Sequence, residues 1–290
     1  MKKELLVTYC KGLCMGVADI IPGISGGTIA LILGIYDRLI KGVSNINVKF
    51  IPHILRGEYK KALNHINDMD LKLFIPLISG IITSFLIMSH IINYLLEHYC
   101  ALMYSFFFGL ILASSIVLLG EIKKLKFIEI PLLFFGFIIS YLVVGSEYIN
   151  LGHSLPILVL SGALAICAMI LPGISGAFIL LSINQYDYII GAIKNFQIID
   201  ILFFGLGGII GLLSFSKLLY YLLKNHRSAT MFLLTGLMLG ALRLPYIKIV
   251  ENMNGIPFLY MILCGIFGFL AVILLEDSIV TKFINNIKNS

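Results

Sequence analysis

The sequence predicts an all-α integral membrane protein made of two inverted copies of one unit, and three observations carry that prediction. Of its 290 residues, 59% are hydrophobic and 12% charged, and the mean hydropathy is +1.02. A soluble domain keeps roughly a quarter of its residues charged. Apolar runs near the ~20 residues that cross a bilayer recur along the chain. One stretch is also written twice, as PGISGGT at 22–28 and PGISGAF at 172–178. Lipid accommodates only helices or closed barrels, and no run alternates as a barrel strand does, so the segments read as helices.

Aligned at an offset of 150, Gly12 matches Gly162, the two PGISG stretches coincide, Leu31 matches Leu181, and Tyr36-Asp37 matches Tyr186-Asp187. At an offset of 127, YLLEHYCALMYSFFFGL (94–110) matches YLLKNHRSATMFLLTGL (221–237), Gly80 matches Gly207, and Ser89-His90 matches Ser216-Lys217. The offset shrinks because a polar connection at about 44–72 lengthens the first half. The halves, 1–150 and 151–290, then divide alike. The first has a paired segment over 5–42, joined at Pro22-Gly23, and helices at 71–96, 100–120 and 127–147. The second has a pair over 155–193, joined at Pro172-Gly173, and helices at 199–223, 228–250 and 257–276.

Each short pair is either a re-entrant hairpin or two full crossings, the latter giving ten membrane segments in all. Both return the chain to its starting side, and three crossings follow. The second half is therefore expected upside down relative to the first, a hallmark of transporters. Charge agrees. With a cytoplasmic N-terminus, only Lys194, Arg243 and Lys248 of the 21 Lys and Arg fall outside. Lys217 falls within the membrane, and the other 17 lie inside. Both termini are then cytoplasmic.

Several functions are disfavoured. No loop carries a dense basic patch with interleaved aromatics, so nucleic acid is not an expected partner. The five cysteines (Cys10, Cys14, Cys100, Cys167 and Cys264) form no C-x-x-C pair and read as small buried apolar residues, not metal ligands. No metal or other cofactor is expected. The N-terminal stretch starts like a signal peptide, but Lys11 interrupts it and no small-residue cleavage site follows, so it is expected to be retained. No Ser/His/Asp set, H-E-x-x-H pair or carboxylate dyad stands out, and enzyme chemistry is not expected.

A Pro-Gly break exposes N–H groups at the start of the next half-helix, which direct partial positive charge forward. Ser25, Gly26, Gly27 and Thr28 are small or hydroxylated, so an anion could approach that backbone closely. Ser175 and Gly176 would complete a pseudo-symmetric site, with Pro22, Gly23, Pro172 and Gly173 as the structural breaks. A P-loop is excluded because no Lys follows the glycines. Close helix packing by small residues is the simpler reading of one copy, and the second copy favours the anion site.

Ionisable groups within a membrane are costly and hence candidates. Asp19, three residues before Pro22, is either a local helix-stabilising partner or a proton-coupling carboxylate. Its match in the second half is Met169. His90 and Lys217 are a matched mid-helix basic pair that could face a phosphate. Arg243, just before Pro245, either meets an anion from outside or caps a helix end. Tyr36-Asp37-Arg38 and Tyr186-Asp187 read first as membrane-interface residues.

The stretch GLCMGVADIIPGISGGTIALILGIYDRLI (12–40) closely resembles the signature of bacterial polyprenyl-phosphate transporters, a family once known only as a domain of unknown function. PGISGAFILLSINQYDYII (172–190) resembles its second signature. The first motif is carried by Gly16, Asp19, Pro22, Gly23, Ser25, Gly26, Gly27 and Thr28. The second is carried by Pro172, Gly173, Ser175 and Gly176, with Ala177 and Phe178 replacing the Gly-Thr of the first. The resemblance implies a flippase in the bacterial cytoplasmic membrane. It would return undecaprenyl phosphate, the carrier lipid of cell-wall peptidoglycan precursors, from the outer leaflet, driven by protons or the membrane potential. Likeness to another carrier-recycling family with re-entrant hairpins tips the architecture to six crossings plus two hairpins. Because the first motif is the more polar, the phosphate is expected nearer to it.

Overall fold

A computed structural model describes residues 2–21, 24–46, 70–120, 122, 127–145 and 151–275. All regular structure there is helical. The first half contains α1 (Lys2–Ile20), α2 (Gly26–Ile32), α3 (Tyr36–Ser44), α4 (Leu71–Gly120), a 3-10 turn at Phe127–Glu129, and α5 (Ile130–Gly145). The second contains α6 (Leu155–Ile170), α7 (Gly176–Ser182), α8 (Tyr186–Lys194), α9 (Ile198–Asn225), α10 (Arg227–Ala241), α11 (Arg243–Asn252) and α12 (Phe258–Leu275). The spans at 71–120, 127–144, 198–225 and 227–252 are long and apolar enough to cross a membrane. The chain is a multi-pass membrane protein.

At 50 residues, α4 would run roughly 75 Å as one straight rod, far beyond a ~30 Å hydrocarbon core. It is in fact two helices joined at Tyr99, whose backbone is non-helical (φ −133°, ψ 34°). His226, which separates α9 from α10, has nearly the same dihedrals (φ −132°, ψ 44°). The two positions are matched at the offset of 127. The segment expected at 228–250 is split at Leu242. Pro245 has no N–H to offer the Ala241 carbonyl and its ring crowds that carbonyl, so α10 ends there.

The helices pack in pairs through small residues. On α1 against α4, a Cβ on Gly12 would strike the Leu77 carbonyl, and one on Gly80 the Tyr9 carbonyl. The matched pair α6 and α9 repeats this, with Gly162 against the Phe204 carbonyl and Gly207 against the Val159 carbonyl. Two further pairs cross between halves. Gly268 of α12 meets Phe106 of α4, and Gly236 of α10 meets Leu133 of α5. Such close backbone approach is how helices associate where hydrophobic burial gives no advantage.

The molecule's outer faces are apolar. Phe134, Phe135, Ile138 and Leu142 on α5, and Leu206, Ile209 and Ile210 on α9, are exposed, as lipid contact requires. The innermost side chains gather where the halves meet. Ala30, Leu234 and Met238 are fully buried, and Ile21, Ile40 and Ile111 nearly so.

Candidate functional site: two interlocked helix breaks

Each PGISG stretch ends one helix and caps the next. α1 stops at Ile20 and α6 at Ile170, and each is followed by an extended serine, Ser25 (φ −108°, ψ 129°) and Ser175 (φ −96°, ψ 128°). A seven-residue helix follows in both halves and ends in a left-handed residue, Gly34 (φ 66°) or Asn184 (φ 56°). Gly and Asn are the residues that tolerate this conformation best. The amide after each donates back, Ile35 to the Ala30 carbonyl and Gln185 to the Leu180 carbonyl. In the second half α7 and α8 are bent by 104°. Pro22 and Gly23 lie outside the described residues.

The first break is densely hydrogen-bonded, and most of its bonds cross to the second. Ser25 Oγ accepts the Gly27 amide (3.1 Å) and donates to the Leu171 carbonyl (3.1 Å). Thr28 Oγ1 accepts the Gly173 amide (2.9 Å), and the Tyr36 hydroxyl donates to the Ile170 carbonyl (3.0 Å). Ile170 and Leu171 terminate α6, where carbonyls have no partner within the helix. The side chains of one copy therefore satisfy the open helix end of the other. Asp19 Oδ1 accepts the Gly26 amide at 2.7 Å, which places a carboxylate at the start of α2. Ser25, Thr28 and Tyr36 are all less than 5% exposed.

The reverse set of bonds is not made. Ser175 does not cap its own helix, and neither Ser175 nor Tyr186 bonds to the first half among the described residues. Phe178 stands where Thr28 stands in the first copy and has no hydroxyl. The hydroxyls that pointed to a phosphate near the first copy are thus occupied by the second break, while the Ser175 hydroxyl engages no other residue among those described.

The far ends of the paired segments differ too. Asp37 pairs with Arg227 across the halves (2.6 Å), and Lys11 donates to the Leu33 carbonyl (2.6 Å). Arg38 forks onto Asp70 (2.6 and 3.0 Å), which holds the Asp70 carboxyl below the usual carboxylate range. In the second half the described ties are local. His153 stacks on Tyr188 at 4.0 Å, Tyr188 donates to Asp200 (2.7 Å), and Gln185 is buried against Gly152 and His153.

Gly26, Gly27, Gly173 and Gly176 sit at the crowded centre, Gly27 facing the Met169 and Ile170 carbonyls and Gly173 facing Met238. His90 and Lys217 are not brought there. Both are exposed on their helices and bond to no described residue. Arg243 is half-buried. Its guanidinium lies 4.2 Å over the Tyr141 ring and donates to the Tyr141 carbonyl (2.7 Å) near the end of α5. Sequence reasoning assigned Tyr36 to the membrane interface and missed its role between the breaks. Its match to Tyr186 was visible, but its burial was not.

A family model described as "VCA0040-like: Undecaprenyl phosphate translocase-like" matches residues 15–256. A polyprenyl-phosphate transporter of Vibrio cholerae serotype O1 is 44% identical over 237 residues, covering 82% of this chain and 76% of that one. A polyprenyl-phosphate transporter of Staphylococcus aureus is 30% identical over 263 residues, covering 83% and 86% respectively. No solved structure matches. The match of the family model spans both breaks and the pairs between them, and the chain belongs to the undecaprenyl phosphate translocase-like family.

Proposed function

We propose that the protein is a transporter, not an enzyme, that carries undecaprenyl phosphate from the outer to the cytoplasmic leaflet of a bacterial cytoplasmic membrane. This would return the carrier lipid for another round of cell-wall synthesis. The observation that carries the reading is the junction of the two breaks. Two matched helix interruptions meet in a buried seam of hydroxyls, a carboxylate and helix-end backbone groups. A phosphate cannot cross hydrocarbon unaided, whereas an isoprenoid tail can stay in lipid. A site serving that substrate needs polar groups at depth and an opening to the membrane. The names of the relatives support the same substrate.

In this proposal the halves are inverted, both termini are cytoplasmic, and the paired segments are re-entrant. Ser25, Gly26, Gly27, Thr28, Ser175 and Gly176 form the headgroup path. Ser175 is the first contact in the present conformation, because its hydroxyl engages no other residue among those described. Asp19, against the Gly26 amide, is the candidate for proton coupling. His90 and Lys217, exposed on helix faces, are not members of the seam. The test is reconstitution of the purified protein in liposomes with polyprenyl phosphate, following movement between leaflets. Wild type should move the lipid and Ser25→Ala/Ser175→Ala should be slower. If both matched empty liposomes, the proposal would fail. Asp19→Asn should remove any dependence on a proton gradient.

A further inference from the structure

We infer that a lateral groove between α4, α5, α10 and α11 is the docking site for the headgroup and first isoprene units of a polyprenyl phosphate, with Arg243 as the phosphate contact. This rests on the proposed substrate class and names the place where that lipid is captured.

The groove has a volume of about 500 Å³ and is lined by Phe137, Tyr141, Leu239, Leu242, Arg243 and Tyr246, with Phe108 and Ile247 behind them. Ligand pockets span roughly 300–1,000 Å³, so this one takes a headgroup and a short length of chain and leaves the rest of the tail in lipid. It opens sideways through the exposed rings of Phe137, Tyr141 and Tyr246, whose surroundings on α5 are lipid-facing.

Arg243 is the one charged side chain in this lining. A single cation among aromatic and aliphatic walls complements an amphiphile with a single anionic end. A small hydrated anion would gain nothing from those walls. Arg243 is already aimed by the Tyr141 ring and carbonyl, and that carbonyl takes one of the five N–H donors of a guanidinium. The others remain for a phosphate, which Arg binds through paired hydrogen bonds.

The groove also adjoins the second break. Met238 packs on Gly173, and Leu239, Leu242 and Arg243 follow along the same chain. At ~1.5 Å rise per residue, Arg243 lies roughly 7 Å along the axis from Met238. The groove thus starts on the helix that packs on the second break, a turn or so from that contact.

The test uses full-length protein in phosphatidylcholine nanodiscs with farnesyl phosphate as probe, and with farnesol and inorganic phosphate as competitors. Wild type should bind the probe saturably, with farnesol competing weakly and inorganic phosphate hardly at all. Arg243→Gln should weaken binding roughly tenfold or more, the scale of a lost charged hydrogen bond, and Arg243→Lys, which keeps the charge but loses the paired fork and the stacking on Tyr141, should restore only part of it. Leu239→Trp fills the groove, keeps the guanidinium, and should weaken the probe and farnesol alike. Melting curves of each variant report folding. Should Arg243→Gln fail to fold, the Lys and Trp variants decide. Binding within twofold of wild type in folded Arg243→Gln, or in folded Leu239→Trp, overturns the inference, as does equal competition by inorganic phosphate. The two proposals separate cleanly. Arg243-dependent binding without leaflet transfer leaves the groove and removes the transport function, and transfer unaffected by Arg243→Gln does the reverse.

Discussion

The Tyr36 hydroxyl belongs to one half of the chain and completes the other. It is buried and donates to the Ile170 carbonyl at the end of α6. Tyr36→Phe removes only that oxygen and leaves a buried carbonyl unpaired, which costs about 1–3 kcal/mol. Tyr186→Phe deletes the matched hydroxyl, which bonds to nothing described, and should fall within about 0.5 kcal/mol of wild type. Unfolding both variants in the same detergent measures the difference, and equal losses would contradict the asymmetry. Asp70 offers a second test. Arg38 holds its folded pKa below the usual value, so the pair contributes fully above the unfolded carboxylate pKa of about 4. That contribution is lost as pH falls through the lower folded value. Asp70→Asn keeps an acceptor for the Leu73 amide and should flatten the acid limb of stability. At neutral pH it should cost no more than ~1 kcal/mol, because both partners are substantially exposed.

At the scale of helices, the glycines of α9 separate packing from propensity. A Cβ on Gly207 would collide with the Val159 carbonyl, whereas one on Gly205 meets nothing within 4 Å. Gly207→Ala must push α9 from α6, at roughly 1–3 kcal/mol for an overpacked contact. Gly205→Ala, exposed on the opposite face, should be neutral or slightly stabilising because alanine favours helix. Thermal denaturation of the two variants checks this, and a Gly207→Ala protein as stable as wild type would refute the packing argument. These helices were legible in the sequence because both halves write them. Hydrophobic length located the segments, and the gaps left between 96 and 100 and between 223 and 228 are where the breaks at Tyr99 and His226 lie. The repeat could not report what the copies do differently. The Ser25 and Tyr36 partners lie 146 and 134 residues away and depend on how the halves dock. The exposure of His90 and Lys217 was equally hidden, since a matched pair shares a face without revealing which face. At Leu242, three residues before a proline unmatched in the first half, the helix is interrupted within a span that still runs over 227–252.

Across the whole molecule, matched sequences make unmatched contacts. α3 packs on α9 of the other half, and Asp37 pairs with Arg227 beside that contact. α8, the counterpart of α3, packs on α9 of its own half and makes no comparable contact with α4. A bridge joins the halves at α3, whereas the described side-chain bonds around α8 stay within its own half, and Arg243 joins the halves separately at Tyr141. If the halves are inverted repeats, exchanging their conformations gives a second state open at the opposite end. In that state Tyr186 would take the role of Tyr36 at the end of α1, and the Asp37–Arg227 bridge would part. The bridge suits a gate because both side chains are about half exposed, so the pair holds by only ~0–1 kcal/mol. A covalent link there should stop the exchange. With the five native cysteines replaced, Asp37→Cys/Arg227→Cys cross-linked by oxidation should transport the proposed lipid at least roughly tenfold more slowly, since the opened state is no longer populated. Reduction should restore the rate, and probe binding at the Arg243 groove should persist in the cross-linked form. Undiminished transport by fully cross-linked protein would show that this end never has to open.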